Sequence, residues 1–392
     1  MAKICDLTTE VQSQLLERNQ IFESFFKRES HRIALACREM SARFLRGGRL
    51  LAFGRGPCAT DAQHVSVEFV HPIIVGKRAL PALDLSALFG PWLDAILQPE
   101  DMAMGFGPPA GDPQVSAALD AAASRGAMTF AFPGRDGGYA LDPPTWDPFI
   151  HQELVEIIYH TLWETVHVFL EQRESEHDAG DASFLYPFLG GGKQPAADTL
   201  EQVAASIQLK AQDDARLRER VAREQAAQIT AAAHAIRERL LGGGKLITFG
   251  NGGSATDAND LALDCVLPPA GYRAVPAISL SMEPAILTAV GNDVGTELIF
   301  LRQLIAHARP GDVAVGMSTS GGSRNICLAL QEARKRGLLT VALLGYDGGD
   351  ILRGGLADFS LVVHSDYIPR IQEVQASIYH VLRESLEVLA RA

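Results

Sequence analysis

Ser318-Thr319-Ser320-Gly321-Gly322-Ser323 stands directly after the apolar run VAVGM (313–317) and opens the helical pattern RNICLALQEARKRG. Hydroxyls, glycines that let the backbone turn, and a helix start suit one chemistry, the holding of a phosphate. Free N–H groups point at the anion and the helix dipole favours its charge. The same composition also fits a plain capped turn, and it is not a P-loop, because no Gly-Lys-Ser/Thr follows. A companion turn, Gly250-Asn251-Gly252-Gly253-Ser254, again lies between an apolar run and a helical one. Two such turns at neighbouring strand ends would converge on one anionic ligand at the carboxyl edge of a parallel sheet. Elsewhere, His64 and Glu68 stand four apart, which suits a single helix face and equally a solvated surface pair. His160, in IIYHTLW, reads as a core histidine when taken alone.

The elements that must position these residues occur twice. RLLAFGRGPCATDA (49–62) answers KLITFGNGGSATDA (245–258), with Gly54 and Gly250 196 residues apart. PEDMAMGF (99–106) answers PGDVAVGM (310–317), and GAMTFAFPGRDGG (126–138) answers GLLTVALLGYDGG (337–349), both at 211; HQELVEIIYH (151–160) answers IQEVQASIYH (371–380) at 220. A period near 200 residues indicates a duplicated domain, since solenoid units run only about 20–50 residues. Helical apolar spacing covers 8–47 and 200–241, and each block ends in glycine. Short apolar runs then alternate with helical segments, which predicts two α/β domains, each a doubly wound parallel sheet flanked by helices. The Gly/Pro-rich stretch 183–198 predicts a linker between a first domain at 1–182 and a second at 199–392.

A net charge of −12 over 392 residues argues against a nucleic-acid or anionic-membrane surface. An anionic ligand must therefore be held by a local device. Five scattered cysteines without CxxC spacing predict a reduced chain, and the absence of a leader or of an 18-residue apolar run predicts a cytoplasmic one. Trp92, Trp146 and Trp163 read as core or interface packing residues.

GNGGSATDA (250–258), GND (291–293), STSGGS (318–323), LLGYDGG (343–349) and RIQE followed by His380 resemble the sugar isomerase (SIS) domain, and within it the phosphoheptose isomerase family. The resemblance covers most of 200–392, and about 30–160 in degraded form. It implies five-stranded parallel sheets, and dimers or tetramers with sites between subunits; here a homodimer would make a pseudo-tetramer of SIS domains. It also implies a site set: substrate on Asn251, Gly252, Gly253, Ser254, Asp293, Ser318, Thr319, Ser320, Ser323 and Gln372. A His and a Glu four apart after the first glycine turn, with a Gln and a His eight apart on the last helix, carry the chemistry. In the first copy these are His64, Glu68, Gln152 and His160; in the second they are Asp260, Asp264, Gln372 and His380. The first-copy set suits a divalent metal such as Zn²⁺.

The phosphate devices divide the opposite way. The first copy reads Gly54-Arg55-Gly56-Pro57-Cys58 and Gly107-Pro108-Pro109-Ala110-Gly111-Asp112 at the two turns. Prolines remove N–H donors and Asp112 would repel a phosphate. The resemblance thus implies a sugar-phosphate aldose–ketose isomerase with a composite site. Phosphate would sit on the second copy, with Glu68 as base and His160 as acid/base on the first. The alternative is a non-catalytic phosphosugar-binding regulator or scaffold of the same superfamily.

Overall fold

A computed structural model of the chain describes residues 2–72, 77–134, 138–140, 142, 144–174 and 196–391. Two compact units divide the chain: Gln20–Asp213, and Asp214–Ala392 together with Met1–Asn19. The linker expected at 183–198 lies, as far as residue 195, outside the described residues.

The N-terminal unit begins on α1 (Ala2–Leu45), from residue 20 onward. It continues through β1 (Leu50–Gly54), α2 (Ala59–Val70), β2 (Ala82–Asp84), α3 (Phe89–Ile96), β3 (Met102–Phe106) and α4 (Pro113–Ser124). β4 (Met128–Phe132), β5 (Tyr139–Ala140) and α5 (Pro148–Glu174) complete it, with the start of α6 (Ala196–Leu241). The sheet runs β2-β1-β3-β4-β5, all parallel, with Leu50 level with Met102 and Met102 with Met128. β1 and β3 are buried throughout, as an unbroken apolar run requires when helices cover both faces. Phe22, Phe25 and Phe26 of α1 and Leu154, Ile158 and Trp163 of α5 close one face. Of the three tryptophans Trp163 is buried in the core, whereas Trp92 and Trp146 are exposed and take no part in it.

The C-terminal unit takes the rest of α6, then β6 (Leu246–Gly250), α7 (Gly253–Val266), β7 (Ala277–Ser279), α8 (Pro284–Asp293) and α9 (Ile299–His307). β8 (Val313–Ser318), α10 (Arg324–Lys335), β9 (Leu339–Gly345), α11 (Gly349–Arg353), β10 (Phe359–Val363) and α12 (Ile368–Arg391) follow. Its sheet runs β7-β6-β8-β9-β10, again all parallel, and Leu246 pairs with Val313 as Leu50 pairs with Met102. Strand order and register therefore repeat, as the duplicated sequence predicts. Leu7, Val11 and Leu15, from the opening turns of α1, are buried in this unit's core beside Ile229, Val374 and Leu382. Arg18 pairs there with Glu384 at 3.1 Å, and Asp214 with Arg370 at 3.3 Å.

At the end of β1 and of β6 the chain folds back on itself. A Cβ on Gly54 would lie 2.2 Å from the Cys58 carbonyl oxygen, and one on Gly250 2.1 Å from that of Ser254. Only glycine permits the turn that sets α2 and α7 directly above the strand ends.

Candidate functional site

The two glycine turns of the C-terminal unit meet at the carboxyl edge of the sheet. Ser318, buried, ends β8, and its Oγ lies 3.1 Å from Ser323 Oγ while accepting the Gly321 N–H at 3.2 Å. Gly322 N–H reaches Ser320 Oγ at 3.3 Å, and Ser323 caps α10 without using its own hydroxyl on the helix. Thr319 is half-buried and Ser320 exposed at the rim. From the other turn, Gly252 sits at φ +56°, Gly253 and Ser254 open α7, and Asn251 faces Asn325. Their side-chain amides exchange two hydrogen bonds, 3.0 and 2.9 Å, tying the Gly250 turn to the first turn of α10. Asn325 is a residue sequence reasoning missed; its place in the first turn of a helix after a Ser/Gly run was the available signal. Ser281 was also missed. It accepts the Gly250 N–H at 3.1 Å and donates to the Gly250 carbonyl at 3.0 Å, as Ser86 accepts from Gly54 N at 3.1 Å. Asp293 is not drawn into this group. It ends α8, exposed, and its carboxylate accepts the Asn292 amide at 2.8 Å.

In the N-terminal unit the equivalent helix start is closed by the protein itself. Asp112 caps α4, its Oδ1 accepting from Gln114 N at 2.8 Å and Val115 N at 3.1 Å. Arg55, from the first turn, donates to Asp112 Oδ2 at 2.9 Å. Burial works to raise the Asp112 carboxyl, but the bonds from Val115, Arg55 and Gln114 prevail and hold it below the usual carboxylate range. The donors that would meet a phosphate are thus already satisfied by an internal carboxylate. His151, at the position of Ile371, adds a second closure by donating Nε2–H to the Gly107 carbonyl at 2.9 Å. Burial lowers its pKa to about 4, so it is the neutral ring that makes this bond. A cavity of about 210 Å³ beside this loop is walled by Pro109, Asp112, Pro133, Asp142 and Trp146, a lining without phosphate-binding hydroxyls apart from Ser116.

The helix after this first turn carries the other half of the inventory. α2 presents His64 and Glu68 on one face, and α5 presents Gln152 and His160. His64 Nε2 lies 3.3 Å from His160 Nε2 and 3.8 Å from Glu68 Oε1. All three side chains are buried, and their ligand atoms lie within 4.8 Å of one another. A solvated pair is therefore the wrong description of His64 and Glu68. Tyr159 packs against both rings, at 5.2 and 5.1 Å. Gln152 Nε2 donates to Thr60 Oγ1 at 3.2 Å; the atom this side chain could offer a cation is its amide oxygen. Two imidazoles, a carboxylate and an amide oxygen fit a borderline divalent metal.

At the matching place in the C-terminal unit, α7 and α12 bring Asp260, Asp264 and His380 together. His380 Nε2 lies 3.5 Å from Asp260 Oδ2 and 3.2 Å from Asp264 Oδ2, all buried. Tyr379 donates its hydroxyl to Asp260 Oδ2 at 2.9 Å. Burial and the Asp260 charge push Asp264 up to about 7, against the pull of His380. The shorter aspartate stems thus still reach the histidine. Gln372, eight residues before His380, is buried with its Oε1 lacking a hydrogen-bond donor.

The SIS domain family matches residues 211–345 of this chain. The phosphoheptose isomerase of Geobacter sp. (strain M21) is 46% identical over 160 residues, 41% of this chain and 82% of the relative. That of Geobacter sulfurreducens is 45% identical over 170 residues, 43% and 89%. Among solved structures, the C-terminal domain of glucosamine-fructose-6-phosphate aminotransferase from Francisella tularensis shares the fold over 97% of this chain and 95% of its own, at a TM-score of 0.61 and 8% identity. Because 82% of the Geobacter sp. protein is matched by 41% of this chain, that relative is about half as long.

Proposed function

Because the chain belongs to the phosphoheptose isomerase family of SIS-domain proteins, we propose that it interconverts the ketose and aldose forms of a heptose phosphate, sedoheptulose 7-phosphate being the ketose, and that its two copies divide the work. One observation carries the division. The helix start at 318–323 is dressed in hydroxyls, while its counterpart at 107–112 is closed by Asp112 and Arg55. The His64, Glu68 and His160 set survives only in the copy whose phosphate loop is closed.

In this reading Ser254, Ser318, Thr319, Ser320 and Ser323, with Asn251, Gly252 and Gly253, hold the phosphate, and Gln372 is a further substrate contact, while Asp293 at the exposed end of α8 stands apart from them. Glu68 moves the proton between C1 and C2 through a cis-enediol, and His160 relays protons at O1 and O2. Burial of both keeps water from competing for those protons. A divalent cation, zinc by the donor set, would be held by His64, Glu68, Gln152 and His160 and would polarise the substrate carbonyl. Assembly as a homodimer, a pseudo-tetramer of SIS domains, belongs to the same proposal. Light scattering should then give twice the 42.2 kDa of one chain, and a monomer overturns it.

Incubation with C5–C7 ketose phosphates, following the aldose products, tests the activity. Glu68→Gln should lower turnover about 10²–10⁴-fold while leaving ligand affinity nearly unchanged. Ser320→Ala should instead weaken binding by about 1–3 kcal/mol, the loss of one charge-assisted hydrogen bond. Full turnover in Glu68→Gln would place the chemistry in the C-terminal copy. Tight phosphosugar binding without turnover on any of the sugars would leave a regulator or scaffold.

A further inference from the structure

Asn325 is outside the set that holds the phosphate in this reading, yet it grips one member of it. It is the second residue of α10, behind Ser323 at the cap. Its Oδ1 accepts the Ile326 N–H at 3.0 Å, and a backbone N–H can bond only an acceptor, so the Asn325 amide has a single orientation. That orientation passes on to Asn251. Asn251 Nδ2 donates to Asn325 Oδ1 at 3.0 Å, and Asn325 Nδ2 donates to Asn251 Oδ1 at 2.9 Å. Turning the Asn251 amide over would set oxygen against oxygen and nitrogen against nitrogen, losing both bonds.

We propose that Asn325 is a positioning residue of the phosphate site, which fixes the Asn251 amide and ties the Gly250 turn to the helix that Ser323 opens. This rests on the proposal that the two turns of the C-terminal unit hold a sugar phosphate. Ser281 anchors the turn at the N–H and carbonyl of Gly250, and the asparagine pair is the tie at the next residue, across to α10. Gly252, which follows, sits at φ +56° with no atom within 4 Å of where a Cβ would be. No side-chain packing supports that position, so flanking bonds of this kind hold the turn. The clasp saturates Asn325 Oδ1 with two donors. It uses only one of the two Nδ2 hydrogens and one Oδ1 lone pair of Asn251, leaving the others for a ligand. A pair formed before the ligand arrives spares binding the entropy of ordering the exposed Asn251 side chain.

The test titrates inorganic phosphate into the full chain by calorimetry. Asn325→Ala should weaken binding about 5–10-fold, as the loss of one hydrogen-bonded tie does. In an Asn251→Ala background the same change should cost less than about twofold, because Asn325 acts through Asn251. A residue that only stabilises the fold would cost the same in both backgrounds. With sedoheptulose 7-phosphate the loss should appear in KM and not in kcat. Circular dichroism checks that each variant folds. If Asn325→Ala does not fold, Asn325→Ser, too short for the clasp, carries the same expectation. Undiminished affinity in Asn325→Ala, or an equal loss in both backgrounds, overturns the proposal. Phosphate binding without turnover defeats the isomerase reading alone. A wild type that binds no phosphate overturns both.

Discussion

Asp112 does for the N-terminal unit what a bound anion could do at a helix start: it fills the N-terminus of α4 with negative charge. Replacing it with alanine should cost about 1 kcal/mol at neutral pH, the usual loss for an N-cap. The folded carboxyl is held below its ordinary value, so its contribution is present above the unfolded pKa near 4 and lost as pH falls through the folded one. Urea unfolding of wild type and Asp112→Ala should therefore differ at pH 7, and the gap should narrow as the pH falls below about 4. A gap that widens in acid would contradict the capping geometry. The sequence exposed the prolines, the missing hydroxyls and the aspartate itself. It did not expose Arg55 as the partner of Asp112, nor His151 as the donor to Gly107, nor the Asn251 and Asn325 exchange. Each of these joins residues far apart in the chain, and pairing of that kind leaves no periodic trace in one sequence.

At the scale of elements, the strand-to-helix turn decides where every candidate residue points. Gly250→Ala would force a methyl against the Ser254 carbonyl oxygen, 2.1 Å away, in the backbone of the turn itself. Neither side can yield cheaply, so chemical denaturation should show a loss of at least about 1–3 kcal/mol, as for overpacking. Phosphate affinity should fall in the same variant because Ser254 and Asn251 move with the turn. Unchanged stability and affinity would mean that the turn is more pliable than its contacts indicate. The elements themselves were the most legible part of the chain. VAVGM, LTVALLG and FSLVVHS became β8, β9 and β10, and the block 200–241 fell within α6. The three-residue β2 is too short to announce itself, whereas β7 falls inside the apolar run AVPAISL (274–280). Helix pairing across α2 and α5 could be expected only from the resemblance, because a spacing of four names a face and not the neighbour it meets.

For the whole molecule, the repeat announced two copies, but not which core each helix end would join. Amphipathic spacing shows that residues 8–47 bury a stripe. It is silent on the fact that Met1–Asn19 belong with Asp214–Ala392 while the rest of α1 belongs with Gln20–Asp213. Leu15→Ala, at a fully buried position, should cost the C-terminal unit about 2–5 kcal/mol. Hydrogen exchange read by mass spectrometry should show faster labelling in β8 and β9, nearly three hundred residues downstream. Slow exchange there, with fast exchange confined to residues 20–213, would assign Leu15 to the wrong unit. The same membership bears on the birth of the chain. Ribosomes extend chains by about 5–20 residues per second, and early domains fold first. Here residues 7–19 emerge long before α12, so their apolar stripe must wait, unsheltered, until α12 is made. A nascent chain stalled before residue 368 should consequently recruit chaperones to residues 7–19.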